Sequence, residues 1–332
     1  MRHVLTLVAA SALLVACGGG SDGSAPAPTP IPVSTQATLT SANYVAVAQE
    51  TLSSSAYLAD ATGLVTGAQV SDSEALVRFG RDQLPKLPRW LADAPVQAVG
   101  AVQSQTEKCA GGGTLTISAN DANSNRLVDA GDSVSLTAAN CSFEGEVLNG
   151  QLTLTINSVT GNLDYFPYSL SVILGFNNLT TQSSSLRTVG NGSLALSMKA
   201  NAASNQSLAL RTSSLSLSST YGSTTYSKTL TGYDTSVELR PAGSGFTTTT
   251  SVNGTLSSSA FESKTISIAT LTPFVRASAQ AYPGSGQLVI TGAAGGKVRL
   301  TATSATTVLI ELDADANGSY EASTSKLWSD ML

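Results

Sequence analysis

The stretch Leu152-Thr153-Leu154-Thr155-Ile156 decides the fold of this chain, because large apolar residues alternate in it with threonines. Successive side chains of a β-strand point to opposite faces of a sheet, so this period of two predicts a strand with one buried face. The same alternation recurs in Leu115-Thr116-Ile117, Val134-Ser135-Leu136, Leu194-Ala195-Leu196-Ser197-Met198, Leu208-Ala209-Leu210, Leu215-Ser216-Leu217, Leu288-Val289-Ile290 and Val298-Arg299-Leu300. We therefore predict a mainly β protein whose segment 106–332 forms a large antiparallel sheet that is open, curved or sandwich-like.

Asn-Gly dipeptides recur through the same region. They are Asn149-Gly150, Asn191-Gly192, Asn253-Gly254 and Asn317-Gly318, with Ser285-Gly286 as a weaker relative. Asparagine and glycine accept positive φ angles, so these dipeptides favour tight hairpin turns. Their spacing is too uneven for a solenoid with a fixed period, and we predict a series of long hairpins.

The segment 38–105 is predicted to be helical. Apolar residues at a helical spacing predict a helix over 41–59, with Ser41 as its cap. A second helix is predicted from Ser71, because Ser71 and Glu74 match a capping box. Pro85 and Pro88 should interrupt or end that helix, since proline has no amide hydrogen to donate.

The N-terminus has the organisation of a targeting segment. Arg2 supplies a positive charge, Val4 to Val15 form an apolar run, and Leu14-Val15-Ala16-Cys17 follows at its end. The apolar run is shorter than the about 20 residues that a helix needs to cross the hydrocarbon core, so it predicts a signal peptide over 1–16. Leu14-Val15-Ala16-Cys17 resembles the lipobox of bacterial lipoproteins. An ordinary secretory peptide with a chance cysteine is the alternative.

The resemblance implies that residues 1–16 are removed and that Cys17 carries fatty acyl chains such as palmitate. Each buried methylene contributes about 0.8 kcal/mol, so several chains hold a protein firmly to a membrane. The resemblance also implies a place in the bacterial cell envelope, with Gly18 favouring the outer membrane. Segment 17–37 is rich in Gly, Ser, Ala and Pro and is expected to act as a tether.

Composition excludes several classes of function. Charged residues make up 12% of the chain, the formal net charge is -5, and no basic cluster occurs, so a nucleic-acid partner is not expected. The single histidine, His3, lies in the predicted signal peptide. The remaining chain therefore has no imidazole for a serine triad, a Cys-His dyad or a histidine-bound zinc. No other motif designates catalytic residues, and we predict a protein that is not an enzyme.

Two cysteines remain besides Cys17. Cys109 and Cys141 form an even pair in a compartment that is expected to be oxidising, which predicts a disulfide. Two unrelated buried thiols are the alternative.

Two acidic segments resemble the calcium loops of EF-hand and dockerin proteins. In the first, oxygen-bearing residues occupy positions 1, 3, 5, 9 and 12 of a twelve-residue loop, a spacing that aims alternate side chains inward. They are Asp121, Asn123, Asn125, Asp129 and Asp132. Arg126 departs from the pattern, because the family has glycine at position 6.

The second segment has Gly318 at position 6 and Thr324 in place of the final acidic ligand. Its candidate ligands are Asp313, Asp315, Asn317 and Glu321. For both segments the alternative is an Asx-rich loop whose side chains bind their own backbone. Ca²⁺ is therefore a candidate cofactor at each.

These observations predict an envelope lipoprotein that acts as a non-enzymatic structural or binding module, with an envelope protein or a lipid as partner. It resembles β-rich outer-membrane lipoproteins. The alternative is a carrier or chaperone that binds a lipid or acyl chain on the apolar face of the sheet. The residues expected to line that face are Leu194, Leu196, Met198, Leu208 and Leu210.

Overall fold

The computed structural model describes residues 35–60, 75–92, 103–143, 145–163 and 165–332. The predicted signal peptide, Cys17, the tether up to Pro32 and the Ser71 capping box lie outside these residues. Ser34–Leu332 forms one compact unit that contains both the helices and the sheet. Among the residues that are described, no helix combines the length and the apolar character needed to cross a membrane.

Fourteen antiparallel strands lie side by side in chain order, so consecutive strands are joined as hairpins. The sheet is open, with β1 and β14 at its two edges. This confirms the prediction of a mainly β protein with one large sheet of long hairpins. The strands are β1 Gln103–Lys108, β2 Thr114–Asn120, β3 Ser133–Phe143, β4 Glu146–Thr160, β5 Tyr168–Gln182, β6 Leu186–Ala202, β7 Asn205–Tyr221, β8 Thr224–Ala242, β9 Gly245–Ser258, β10 Thr265–Ala277, β11 Ser285–Thr291, β12 Lys297–Ala302, β13 Thr307–Asp313 and β14 Ala322–Leu327.

The alternation in β4 places its apolar side chains on one face. Leu152, Leu154 and Ile156 are buried, whereas Thr153 and Thr155 are partly exposed on the other face. Fully burying such an aliphatic side chain contributes about 1.5–3 kcal/mol. The apolar face of the sheet therefore supplies the main hydrophobic core.

The helices are α1 Tyr44–Asp60, α2 Ala75–Gln83 and α3 Leu87–Ala92, with a 3₁₀ turn at Leu84–Lys86 between the last two. The two prolines fall in this turn and at the start of α3, so the predicted interruption is confirmed. The predicted Ser41 cap is wrong. The helix begins at Tyr44, the carbonyl of the preceding Asn43 accepts the Val47 amide at 2.9 Å, and Ser41 lies in the turn before the helix.

Helix α2 packs on the apolar face of the sheet against β4, β5 and β6. A Cβ on Gly80 would lie 3.2 Å from Leu174 and 3.8 Å from Leu152, so this glycine lets the helix approach β4 and β5 closely. Leu76 is fully buried and lies against Gly190 of β6. Helix α1 contacts β8, β9, β12 and β13 instead. The helical part thus covers the hydrophobic side of the sheet.

Three of the four Asn-Gly dipeptides lie inside strands, so the prediction that they form hairpin turns is wrong for them. Gly150, Gly192 and Gly254 have φ angles of 93°, 118° and 135° within β4, β6 and β9. The pairing register shifts beside the first two, and also in β8 opposite the third. The positive φ angles of these three glycines therefore belong to β-bulges and not to hairpin turns. Gly286 likewise lies within β11, and Asn317-Gly318 alone of the four dipeptides lies in a hairpin connection.

The asparagine of each of the three dipeptides inside strands bonds to the backbone of a neighbouring strand. Asn149 Oδ1 accepts the Asn140 amide at 2.8 Å, and Asn191 Oδ1 accepts the Asn178 amide at 2.8 Å. Asn253 Oδ1 accepts a backbone amide of β10 at 3.2 Å. A local bulge bends its strand and increases its twist. We call this series from β3 to β10 the Asn-Gly bulge line.

The predicted disulfide is confirmed. Cys109 and Cys141 are bonded, with their Cα atoms 5.3 Å apart and a sequence separation of 32. The bond ties the turn between β1 and β2 to strand β3. This fixes the β1 edge of the sheet to its third strand.

Candidate metal centre

The hairpin connections alternate between two rims of the sheet. Connections that follow odd-numbered strands lie on one rim, and those that follow even-numbered strands lie on the opposite rim. The connection 314–321, between β13 and β14, lies on the rim where residues 35–37 pair with Thr265. We call this the N-terminal rim. The connection 121–132 lies on the opposite rim.

The β13–β14 connection brings three carboxylates together. One oxygen each from Asp313, Asp315 and Glu321 lies within 4.8 Å of the others. Within the part of the chain that the structure describes, no other three acidic, histidine or cysteine side chains are grouped in this way. The structure therefore contains a candidate acidic metal-binding site at the second predicted loop.

Asp313 is the buried member of this group, with 1% of its surface exposed. Its Oδ2 accepts the Gly318 amide at 3.1 Å, whereas its Oδ1 is buried without a hydrogen-bond partner. A buried polar group that lacks a partner costs about 1–3 kcal/mol, and more when it is charged. A cation held by this carboxylate would satisfy the orphaned oxygen.

The turn itself is shaped by two residues with positive φ, Ala316 at 60° and Gly318 at 86°. Asp315 Oδ1 accepts the Asn317 amide at 3.2 Å, and this backbone hydrogen bond lowers the pKa of Asp315. The charged form of Asp315 is therefore stabilised. The Ala314 amide donates to Glu321 Oε2 at 3.0 Å, so the Glu321 carboxylate folds back over the start of the loop.

Thr324 does not reach the loop. It lies within β14, where it pairs with Ile310. The predicted final ligand position therefore contributes nothing, and Glu321 is the acid that closes the site. The oxygen donors that remain are the side chains of Asp313, Asp315, Asn317 and Glu321.

The first predicted loop has the same backbone turn. Ser124 and Arg126 have φ angles of 59° and 64°, matching the positive angles of the second loop. The Arg126 amide donates to Asp121 Oδ2 at 2.6 Å, as the Gly318 amide does to Asp313. Arg126 thus adopts the conformation for which the calcium-loop family uses glycine.

The carboxylates of the first loop are already occupied by hydrogen-bond donors. Asp132 is fully buried and accepts the Ala122 amide at 2.9 Å and the Asp129 amide at 2.7 Å. Desolvation nevertheless raises the pKa of Asp132. Asp129 accepts the side-chain amides of Asn125 and Asn123 at 2.5 and 3.1 Å, which lowers its pKa. This loop satisfies its own acids and does not gather them into one cluster.

No family model, curated protein or solved structure matches the chain. Its function is therefore inferred from its own residues.

One neighbour of the site was not predicted from the sequence. The Arg299 guanidinium lies 4.0 Å from the centre of the Tyr320 ring, and its Nε is 2.7 Å from Glu311 Oε2. Tyr320 directly precedes the closing acid of the loop. The sequence does place opposite charges, Arg299 and Glu311, in two consecutive predicted strands. Their pairing could not be predicted, because the register depends on the length of the hairpin connection.

Proposed function

We propose that the chain is a non-enzymatic module of the bacterial envelope, tethered to the membrane through lipid on Cys17, which binds calcium in its β13–β14 loop. The observation that carries the calcium proposal is the buried Asp313 carboxylate. Its Oδ1 has no hydrogen-bond partner, and two further acids, Asp315 and Glu321, lie next to it.

The donor set favours calcium over other cations. Carboxylate and amide oxygens suit hard cations, whereas zinc and copper sites use nitrogen or sulfur ligands. Calcium accepts six to eight oxygens in a flexible geometry, while magnesium demands a near-ideal octahedron. Because Thr324 lies away from the loop and two of the acids are exposed, water completes the coordination. We expect a dissociation constant of about 10⁻⁴ to 10⁻³ M, the range of extracellular calcium modules.

The test is a calcium titration by calorimetry and thermal unfolding, with Asp313→Asn and Asp121→Asn as a matched pair. Calcium should stabilise the wild-type protein by about 2.7 kcal/mol when its free concentration is about 100 times the dissociation constant. Asp313→Asn should abolish this response without unfolding the protein, because it removes a buried negative charge. Asp121→Asn should leave the response intact. An unchanged melting temperature at about 100 mM calcium, a hundredfold excess over the weakest expected dissociation constant, would refute the calcium proposal.

Support for the tether comes from Leu14-Val15-Ala16-Cys17 and from the composition of 17–37. In this proposal the tether joins the folded body at the N-terminal rim, where Thr35 and Ala37 bond to Thr265. Labelled palmitate should be incorporated into the wild-type protein and not into Cys17→Ala. A Cys17→Ala protein that still fractionates with membranes would contradict the anchor.

The carrier remains a second candidate, favoured by a cavity of about 400 Å³ beside the disulfide. Its lining combines apolar side chains, among them Phe79 and Leu115, with charged ones such as Lys86 and Glu146, and its size is in the range of small-molecule sites. The residues expected to hold an acyl chain are instead packed in the core: Leu194, Leu196, Leu208 and Leu210 are buried, and Met198 is partly buried. Mass spectrometry of an organic extract of the purified protein should reveal a bound amphiphile if the carrier proposal is correct.

A further inference from the structure

The segment 35–39, here called the lead-in segment, is hydrogen-bonded to the first residue of β10 and to the connection 292–296, both at the N-terminal rim. The Thr265 amide donates to the Thr35 carbonyl at 2.9 Å, and the Ala37 amide donates to the Thr265 carbonyl at 2.8 Å. The Ala293 amide donates to the Ala37 carbonyl at 2.8 Å. The side chains of Ala37 and Leu39 are buried. The lead-in segment is thus part of the folded body.

The connection 292–296 lies between the lead-in segment and residues 313–321, which we call the metal loop, and it contacts both. On one side, a Cβ on Gly292 would lie 2.3 Å from the Ala37 carbonyl oxygen and 2.8 Å from Leu39. On the other side, a Cβ on Gly296 would lie 3.0 Å from the Ala314 carbonyl oxygen. Backbone therefore packs on backbone across three layers: the lead-in segment, connection 292–296 and the metal loop.

A second contact joins the same layers through the sheet. Lys297 follows connection 292–296 directly and pairs with Asp313, the buried acid of the metal site. The Gly292 amide also donates to the Gly296 carbonyl at 2.9 Å, which closes the connection on itself. A displacement of the metal loop therefore acts on connection 292–296. The Ala293 amide of this connection donates to the Ala37 carbonyl.

We infer that calcium bound in the β13–β14 loop stabilises the attachment of the lead-in segment to the folded body. This inference rests on the calcium site proposed above. A cation that joins Asp313, Asp315 and Glu321 restricts a loop whose carboxylates accept hydrogen bonds from groups of the loop itself, such as those that Asn317 donates to Asp315. When binding orders one element, a packed neighbour loses less entropy on ordering, and the two events become coupled. Calcium would thereby control how firmly residues 35–39 are held on the N-terminal rim.

The test is hydrogen exchange of the full chain with and without calcium, resolved at the amides of Ala37, Thr265 and Ala293. Allosteric couplings typically change equilibria about 5- to 150-fold, and we expect exchange at these three amides to slow by about 5- to 100-fold in saturating calcium. The amides of Ser278 and Gly131 serve as controls, because they bond to Phe246 and Ile156 on the opposite rim. Their exchange should not change.

Two variants separate this inference from the calcium site itself. Asp313→Asn should lose both calcium binding and the calcium-dependent protection. Gly292→Ala adds a methyl group against the Ala37 carbonyl and alters no calcium ligand, so it should bind calcium normally while the Ala37 amide loses its protection. Normal calcium binding by calorimetry with unchanged exchange at all three amides would overturn the inference and leave the calcium site standing. Absence of calcium binding in the wild-type protein would overturn both.

Discussion

The hydroxyls of Tyr233 and Ser55 lie 2.8 Å apart and join strand β8 to helix α1. Tyr233 is fully buried, and burial raises its pKa well above the ordinary value of tyrosine. Nearby, the Lys228 ammonium donates to Ser54 at 3.3 Å, and Ser258 donates to Glu50 at 2.9 Å. The first helix is therefore positioned on the sheet by polar contacts as well as by its apolar side chains.

Tyr233→Phe should destabilise the protein by about 1 kcal/mol, the usual net contribution of a buried hydrogen bond, because the bond between the two hydroxyls is lost and Ser55 keeps its bond to the Thr51 carbonyl. The free energy of unfolding from urea denaturation measures this. Tyr221→Phe is the matched control, since Tyr221 is 63% exposed, and it should have no effect. Equal stability of Tyr233→Phe and the wild-type protein would show that the contact contributes nothing.

The raised pKa of Tyr233 predicts a loss of stability in alkali. Below about pH 10 the phenol is protonated in both the folded and the unfolded chain, so it causes no pH dependence. As the pH rises further, the unfolded chain ionises first and unfolding is favoured. Urea midpoints measured between neutral pH and pH 11 should fall less steeply for Tyr233→Phe than for the wild-type protein.

A glycine of the Asn-Gly bulge line and a glycine outside its dipeptides differ in the space around them. A Cβ on Gly192 would lie 2.3 Å from the Ser214 carbonyl oxygen, and its φ is 118°. Gly192→Ala should therefore cost about 3 kcal/mol or more, from backbone strain and overpacking together. Gly232, with φ of 51°, has open space where a Cβ would lie, and Gly232→Ala should cost only about 1–2 kcal/mol. Thermal unfolding of both variants tests this order.

Removing the disulfide with Cys109→Ala and Cys141→Ala should destabilise the protein by about 4 kcal/mol, the chain-entropy value for a loop of this length. Equilibrium unfolding in urea measures the loss. Reduction of the wild-type protein, verified by thiol titration, should give the same result without a change of sequence. Identical midpoints before and after reduction would contradict the prediction.

The strands were predictable because alternation is a local property. The alternation of Leu152, Leu154 and Ile156 with threonines marks one face of the strand as buried, whichever strands pair with it. The bulges were not predictable from the same dipeptides. Positive φ at Gly150 or Gly192 suits a tight turn and a bulge equally, and the choice depends on the neighbouring strand, whose Asn140 and Asn178 amides the asparagines bind.

The metal loop was predicted only in part for a similar reason. Spacing placed Asp313 and Glu321 in one loop, and the structure brings them together. The spacing of oxygen-bearing residues predicted a calcium site in the first loop equally well. In the structure, however, the Asp132 carboxylate of that loop accepts hydrogen bonds from two backbone amides. Which loop keeps an unsatisfied oxygen depends on burial and on the available N–H donors, and neither is visible in a pattern of acidic residues.

Each unit of the Asn-Gly bulge line is built from a strand and its immediate neighbours. A duplicated or deleted hairpin would carry its own kink with it and leave the kinks of more distant hairpins unchanged. Proteins of this architecture can therefore change their width in evolution, two strands at a time, without redesigning their bend.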